Sequence, residues 1–292
     1  MGRLDGKVAL IFGASPNNGG TIAHFMAREG ARIAANDIVP EVAEETAEFL
    51  RSRGYDAFAV AGDASQKDQA EDIVSRTVEH FGGLDSVVNL AGRQFRWPVT
   101  EVNLYDWNRQ LEGFITGGML TTKYSARAMI DNGRKGCILH IVSSAGHYGE
   151  AGNSGYSAAK GGLLNFARAA AMDLAHHGIR VNTITPYFME HNLHRFGTPS
   201  TFRSRYTATA EDFLKSVPMG RFPRASDLAY AAIFLASDEA SFITGIDIPV
   251  DGGVRAKYPP WMPGEYTNAS IDDYIRDNPP RRYGEPVEEG QT

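Results

Sequence analysis

Tyr156 and Lys160 stand four residues apart in the stretch "NSGYSAAKGGL", so on a helix they share one face. A phenol with a pKa of about 10 is a poor acid–base group at neutral pH unless a cation stabilises its phenolate. Lys160 is such a cation. Ser143 lies near the end of the preceding apolar run, "GCILHIVSS", able to hydrogen-bond the oxygen of a small molecule. A Tyr-x-x-x-Lys spacing alone fits a chance pair on an amphipathic helix equally well, so the rest of the chain has to decide.

A second set of residues has the makings of a phosphate cradle. In "LIFGASPNNGGTIA", Gly13, Gly19 and Gly20 allow close approach to bare backbone N–H groups at a helix start, where the peptide dipoles favour an anion. Ser15 and Asn18 add local polar contacts. Asn17 stands where a middle glycine would be; asparagine tolerates a left-handed backbone better than other non-glycine residues, so the loop is expected to survive the exchange. Asp37 closes the next apolar run, 24 positions after Gly13. A carboxylate there can take both hydrogen bonds from an adenosine ribose and repels a 2′-phosphate. Its neighbours Asn36 and Ile38 are uncharged, which favours NAD over NADP.

These residues must be positioned by the elements around them. Seven β-rich runs, "KVALIFGA", "ARIAAND", "DAFAVAGDA", "LDSVVNLAG", "GCILHIVSS", "IRVNTITP" and "GIDIPVDGG", alternate with amphipathic stretches such as "TIAHFMAREG" and "QAEDIVSRTVEHFGG". Strand–helix alternation predicts an α/β fold, a single Rossmann-type domain with a doubly wound parallel sheet of about seven strands and helices on both faces. The catalytic and cofactor-binding domain is expected over residues 1–253. Within it, the aromatic and basic stretch 187–226 reads as a lid inserted over the strand ends, and 254–292 as a proline-rich extension.

The chain resembles the short-chain dehydrogenase/reductase family over roughly residues 4–253. The resemblance is carried by "GASPNNGG", "GDAS", "NLAG", "SSAG", "YSAAK", "IRVNTITP" and "SFITGIDIPVDGG", in the family's order and spacing. It implies an enzyme moving hydride between NAD(P) and a carbonyl or alcohol. Tyr156 would be the general acid/base, Lys160 would lower its pKa and bind the nicotinamide ribose, and Ser143 would orient the reacting oxygen. Asp63 and Ala64 would flank the adenine. Asn89, Ala91 and Gly92 would line the cofactor, with Pro186 beside it. A homo-oligomer, tetramer or dimer, is expected by the same analogy.

Three departures cluster on the nicotinamide side. Phe114 falls where the family carries an asparagine that holds a proton-relaying water; phenylalanine offers no hydrogen bond, so a relay would have to run elsewhere, for example through Thr116. Tyr187 replaces the glycine of the family's Pro-Gly. Glu190 or His191 replaces a threonine that touches the carboxamide. They keep two other readings open: an NAD-binding scaffold without turnover, and a non-redox isomerase, epimerase or lyase on the same fold.

Composition bounds the rest. With 292 residues and a formal charge of −6, the chain is not expected to bind nucleic acid. The single cysteine, Cys137, excludes an internal disulfide and reads as a buried strand thiol. The start of the chain lacks an apolar leader and no run is long enough to span a membrane, so a soluble cytoplasmic protein is expected. The sequon at Asn268 is expected to be idle. Glu190, His191 and His194 lie close together, but no third ligand with a convincing spacing accompanies the two histidines, so no metal is expected. A substrate pocket is expected from Phe95, Trp97, His147, Tyr148, Tyr187 and Phe188. Arg93, with Arg96, Arg195, Arg203 and Arg205, could receive an acid group on a cyclic or aromatic alcohol. Tyr258, Trp261, Met262, Tyr266 and Tyr274, set among the tail's prolines and charges, suggest a tail that packs.

Overall fold

Each of the seven apolar runs forms a strand in the computed structural model, which describes residues 2–192, 210–257 and 276–277. The strands are β1 (Val8–Phe12), β2 (Arg32–Asp37), β3 (Ala57–Ala61), β4 (Ser86–Asn89), β5 (Cys137–Ile141), β6 (Arg180–Pro186) and β7 (Asp247–Val250). They form one parallel sheet in the order β3-β2-β1-β4-β5-β6-β7. The expected Rossmann-type, doubly wound architecture is therefore the one found. The order reverses between β1 and β4, and in open sheets of this kind the crevice beyond the carboxyl ends at that point takes the ligand.

Helices α1 (Asn18–Arg28), α2 (Pro40–Arg51), α3 (Lys67–Phe81), α4 (Leu104–Leu111), α5 (Gly117–Asp131), α6 (Ser154–Leu174), α7 (Ala210–Lys215) and α8 (Ala225–Ala236) complete the described residues. Alternation along β1 divides the core. Ala9 and Ile11 join Ile22 and Met26 of α1 and Leu228 and Ile233 of α8. Val8, Leu10 and Phe12 face Ile73 of α3, Leu120 and Met129 of α5 and Ala167 of α6. Period-2 burial on both faces is what a strand between two helical layers requires. Cys137 is buried in β5 and its thiol is pushed up to about 11 by that burial.

Two features shape the site. Helices α4 and α5 are joined by a π-helical turn, Glu112–Thr116, in which the Gly117 N–H reaches back five residues to the Glu112 carbonyl. After β7, the Asp251 carboxylate accepts from the Gly253 and Arg255 N–H groups and turns the chain back. Of the expected lid, His194, Arg195, Arg203 and Arg205 lie outside the described residues, as do the tail residues Tyr258, Trp261, Met262, Tyr266, Asn268 and Tyr274. No described helix is long and apolar enough to cross a membrane.

Candidate active site

A cavity of about 1460 Å³ opens at the carboxyl ends of β1, β4, β5 and β6. Gly13, Ser15, Asn17, Asn18 and Gly19 line one end of it. Asp37, Asp63 and Ala64 flank that end, and Ser143, Tyr156, Lys160 and Pro186 line the other.

The glycine loop is shaped by two close approaches. Gly13 has φ +81°, and a Cβ there would sit 3.2 Å from the Ala91 nitrogen. At Gly19 a Cβ would fall 2.0 Å from the Gly13 carbonyl oxygen, so only glycine lets α1 begin against the end of β1. Thr46 of α2 donates to the Ala14 carbonyl at 2.6 Å and ties the loop down. Asn17 departs from expectation: its φ is −79°, so it adopts no left-handed conformation and the loop never calls for a glycine there. Gly20 is buried and does not line the cavity.

At the end of β2, Asp37 Oδ1 accepts from the Val39 N–H at 3.0 Å, while partial burial raises its carboxyl above the usual range. Asp63 Oδ1 accepts from both the Ser65 N–H and hydroxyl, which fixes the bend carrying Ala64. Asn89 is a correction. It is buried beneath the cavity rather than lining it, because its amide is consumed within the protein: Oδ1 accepts from the Ala91 N–H at 3.0 Å and Nδ2 donates to Thr121. Asn89 positions Ala91 and Gly92, which do line the cavity.

Ser143 follows β5 and caps the short turn Ser144–Gly146, its hydroxyl accepting from the Ala145 N–H. Gly146 lets that turn lie on α6, since a Cβ there would be 2.9 Å from the Lys160 carbonyl carbon. The Ser143 side chain hydrogen-bonds the Tyr156 hydroxyl. Lys160 Nζ donates to the Ile141 carbonyl at 2.8 Å, so the end of β5 holds both Ser143 and the lysine. Burial pushes Tyr156 up to about 12, against the pull of the Ser143 hydrogen bond, and pushes Lys160 down to about 7. Burial thus disfavours the charged form of each member of the pair, and added positive charge would favour the tyrosine phenolate.

That burial has a consequence for stability. Lys160 binds its proton more weakly folded than unfolded, so folding stability rises with pH between about 7 and the ordinary lysine value. Lys160→Met removes the penalty. The ligand-free variant should melt several degrees above the parent near pH 7, and the gap should shrink as pH approaches about 10. Differential scanning calorimetry across pH checks this.

The substrate side differs from expectation at three positions. Arg93, Tyr148, Tyr187 and Phe188 line the cavity; Phe95, Trp97 and His147 do not. Trp97 is drawn aside because its indole N–H donates to Asp106 at 2.6 Å. His147 turns to the carboxylate of Asp247 at 3.1 Å and accepts from Arg255; burial and Arg255 hold its pKa below the ordinary value. Phe95 is half-buried on the Arg93 loop. Tyr187 accommodates the missing glycine by reaching toward α7, where its hydroxyl meets Ser216 Oγ at 2.9 Å. Arg96 is paired with Glu150 at 2.8 Å. Buried Glu190 lies 3.6 Å from Arg224 Nε, leaving His191 to line the cavity, and among the described residues no metal-binding cluster exists. Thr116 is exposed and does not line the cavity. Phe114 does, and its buried ring meets Tyr156 edge to face.

Residues 14–255 match a family model described as enoyl-(acyl carrier protein) reductase. The chain belongs to the short-chain dehydrogenase/reductase family. Cis-4-hydroxycyclohexanecarboxylate dehydrogenase of Sinomonas cyclohexanicum is 36% identical over 86% of this chain and 97% of its own. A 2,5-dichloro-2,5-cyclohexadiene-1,4-diol dehydrogenase of Sphingobium indicum is 34% identical over 86% of this chain and 97% of its own. The NAD+-bound structure of a xylitol dehydrogenase superposes with a TM-score of 0.80 at 30% identity, covering 86% of this chain and 99% of that one. As a member of this short-chain dehydrogenase/reductase family, the protein is an alcohol-dehydrogenase-type oxidoreductase that uses a nicotinamide cofactor. The glycine cradle at one end of the cavity and the Tyr156–Lys160 pair at the other fit an elongated dinucleotide lying between them.

Proposed function

We propose that the protein is an NAD-dependent dehydrogenase that oxidises a secondary hydroxyl on a small ring bearing an acid group. The observation that carries this is the convergence of Ser143, Tyr156 and Lys160 on a cavity that begins at the glycine loop and Asp37. The cofactor, when bound, supplies the hydride acceptor. Ser143 orients the substrate oxygen and Tyr156 takes its proton. Lys160, tethered to the Ile141 carbonyl, favours the tyrosine phenolate. Pro186, Ala91 and Gly92 form the wall beside them. Asp37 would take the ribose hydroxyls, and Asp63 and Ala64 would flank the adenine.

Tyr148, Tyr187 and Phe188 supply flat apolar walls suited to a ring. Arg93 lines the same cavity, exposed, and makes no ion pair among the described residues. It is the group we assign to a substrate carboxylate. Two relatives named for ring alcohols, one of them a carboxylate, support this choice. A charge-assisted hydrogen bond of about 1.5–3 kcal/mol corresponds to roughly 10- to 100-fold in kcat/KM. Cis-4-hydroxycyclohexanecarboxylate should therefore outperform cyclohexanol by that factor, and Arg93→Ala should erase the advantage while leaving cyclohexanol untouched. Equal efficiencies in the parent would dispose of the acidic-substrate reading.

A further inference from the structure

Lys160 is 4% exposed, yet among the described residues only one of its three N–H groups has an oxygen partner, the Ile141 carbonyl. On another side the ammonium rests over the face of Phe114, with Nζ 4.2 Å from the ring centroid. The same ring meets Tyr156 nearly at right angles, 74° between planes and 5.2 Å between centroids. One aromatic side chain thus touches both members of the pair.

The fold is built around that ring. A Cβ on Gly92 would lie 2.1 Å from Phe114 Cε1, so Gly92 is hollowed out to receive it. Ile115, the next residue, is seated against Gly162 of α6, where a Cβ would come within 2.8 Å of its side chain. The π-helical turn Glu112–Thr116 carries both residues, and such turns inside helices commonly mark functional positions. Gly92 and Gly162, on different elements, make room for what this one turn presents.

We infer that Phe114 is a positioning residue that seats the Lys160 ammonium by a cation–π contact, leaving one N–H direction for the bound cofactor and substrate. The contact replaces water on that side of the lysine with a fixed quadrupole, so the ammonium is held without a hydrogen-bonding neighbour from α4 or α5. The other titratable groups near it are Tyr156 on its own helix and His140 of β5. His140 is buried and neutral, with Nε2 facing the Thr122 hydroxyl, so it adds no charge. This inference rests on the proposed role of Lys160, but its test does not need that role to be right.

The test titrates Lys160 directly in the ligand-free protein. Lysine labelled with 13C at Cε gives a resonance assigned by its loss in Lys160→Arg. A ring face over a desolvated ammonium favours the charged form, so Phe114→Leu should lower the Lys160 midpoint by about one pH unit. Phe114→Tyr keeps the face and should return the midpoint to within a few tenths of the parent. Should the leucine variant fail to fold, Phe114→Met offers similar volume without a ring and carries the same expectation. A non-aromatic variant titrating at or above the parent value would overturn the inference. Loss of the catalytic reading would show separately, as undiminished turnover in Tyr156→Phe, with the Lys160 midpoints unaffected.

Discussion

Tyr156→Phe should lose about 10³-fold in kcat for alcohol oxidation, within the 10²–10⁴ that a positioned acid–base group contributes, while cofactor affinity changes little. The phenol sits on the third residue of α6, half-buried at the cavity, with its hydroxyl on Ser143 and its ring packed against Phe114. Removing the hydroxyl leaves the ring packing in place, so the loss isolates the proton transfer. The parent's pH profile follows from the same surroundings. Burial raises the phenol to about 12 in the ligand-free protein, and only added positive charge brings it down. Oxidation requires the phenolate, so kcat/KM should climb with pH through the neutral range, and carbonyl reduction should fall over the same interval. Steady-state rates in both directions check the sign. An oxidation rate independent of pH would mean that another group takes the proton.

The second large effect is expected at Asp37. The parent should use NAD at least about 10²-fold more efficiently than NADP, since a like-charge juxtaposition at this half-buried carboxylate costs several kcal/mol. Asp37→Asn keeps an oxygen able to accept from the Val39 N–H, so the bend after β2 should persist. It removes the charge. The ratio should then collapse toward unity, mainly through a better KM for NADP and a poorer one for NAD. Adding Ile38→Arg should tip the preference to NADP, because Ile38 is 60% exposed at the same edge of the cavity and an arginine there can reach a 2′-phosphate. A parent that uses both cofactors equally would remove Asp37 from the ribose.

The sheet was legible because each strand is a short apolar run ended by a turn-forming residue, and each crossover helix shows a 3.6-residue stripe. Gly13, just past β1, and Asp37, the last residue of β2, could be paired by sequence distance alone, since both lie at strand ends set by the same register. The pair Tyr156–Lys160 was legible because one helix turn brings four-residue neighbours together. What escaped was set by distant partners. Trp97 and His147 have the right character for a pocket, but their polar tips find Asp106 and Asp247 instead, and sequence gives no measure of that competition. Asn89 lies at the expected strand end, yet its amide serves the Ala91 turn. The seat of Phe114 depends on an extra residue wound into a π turn and on an opening at Gly92, neither visible in a helical pattern. Gly146 stood within the "SSAG" motif; only the packing against Lys160 assigns its purpose.

The most direct test of the central claim is to incubate the protein with NAD and a panel of ring alcohols, cis-4-hydroxycyclohexanecarboxylate among them, following absorbance at 340 nm and assaying the ketone formed. One NADH per ketone is expected with at least one ring alcohol. Tight NAD binding with no NADH from any member, or product formed without NADH, would contradict it.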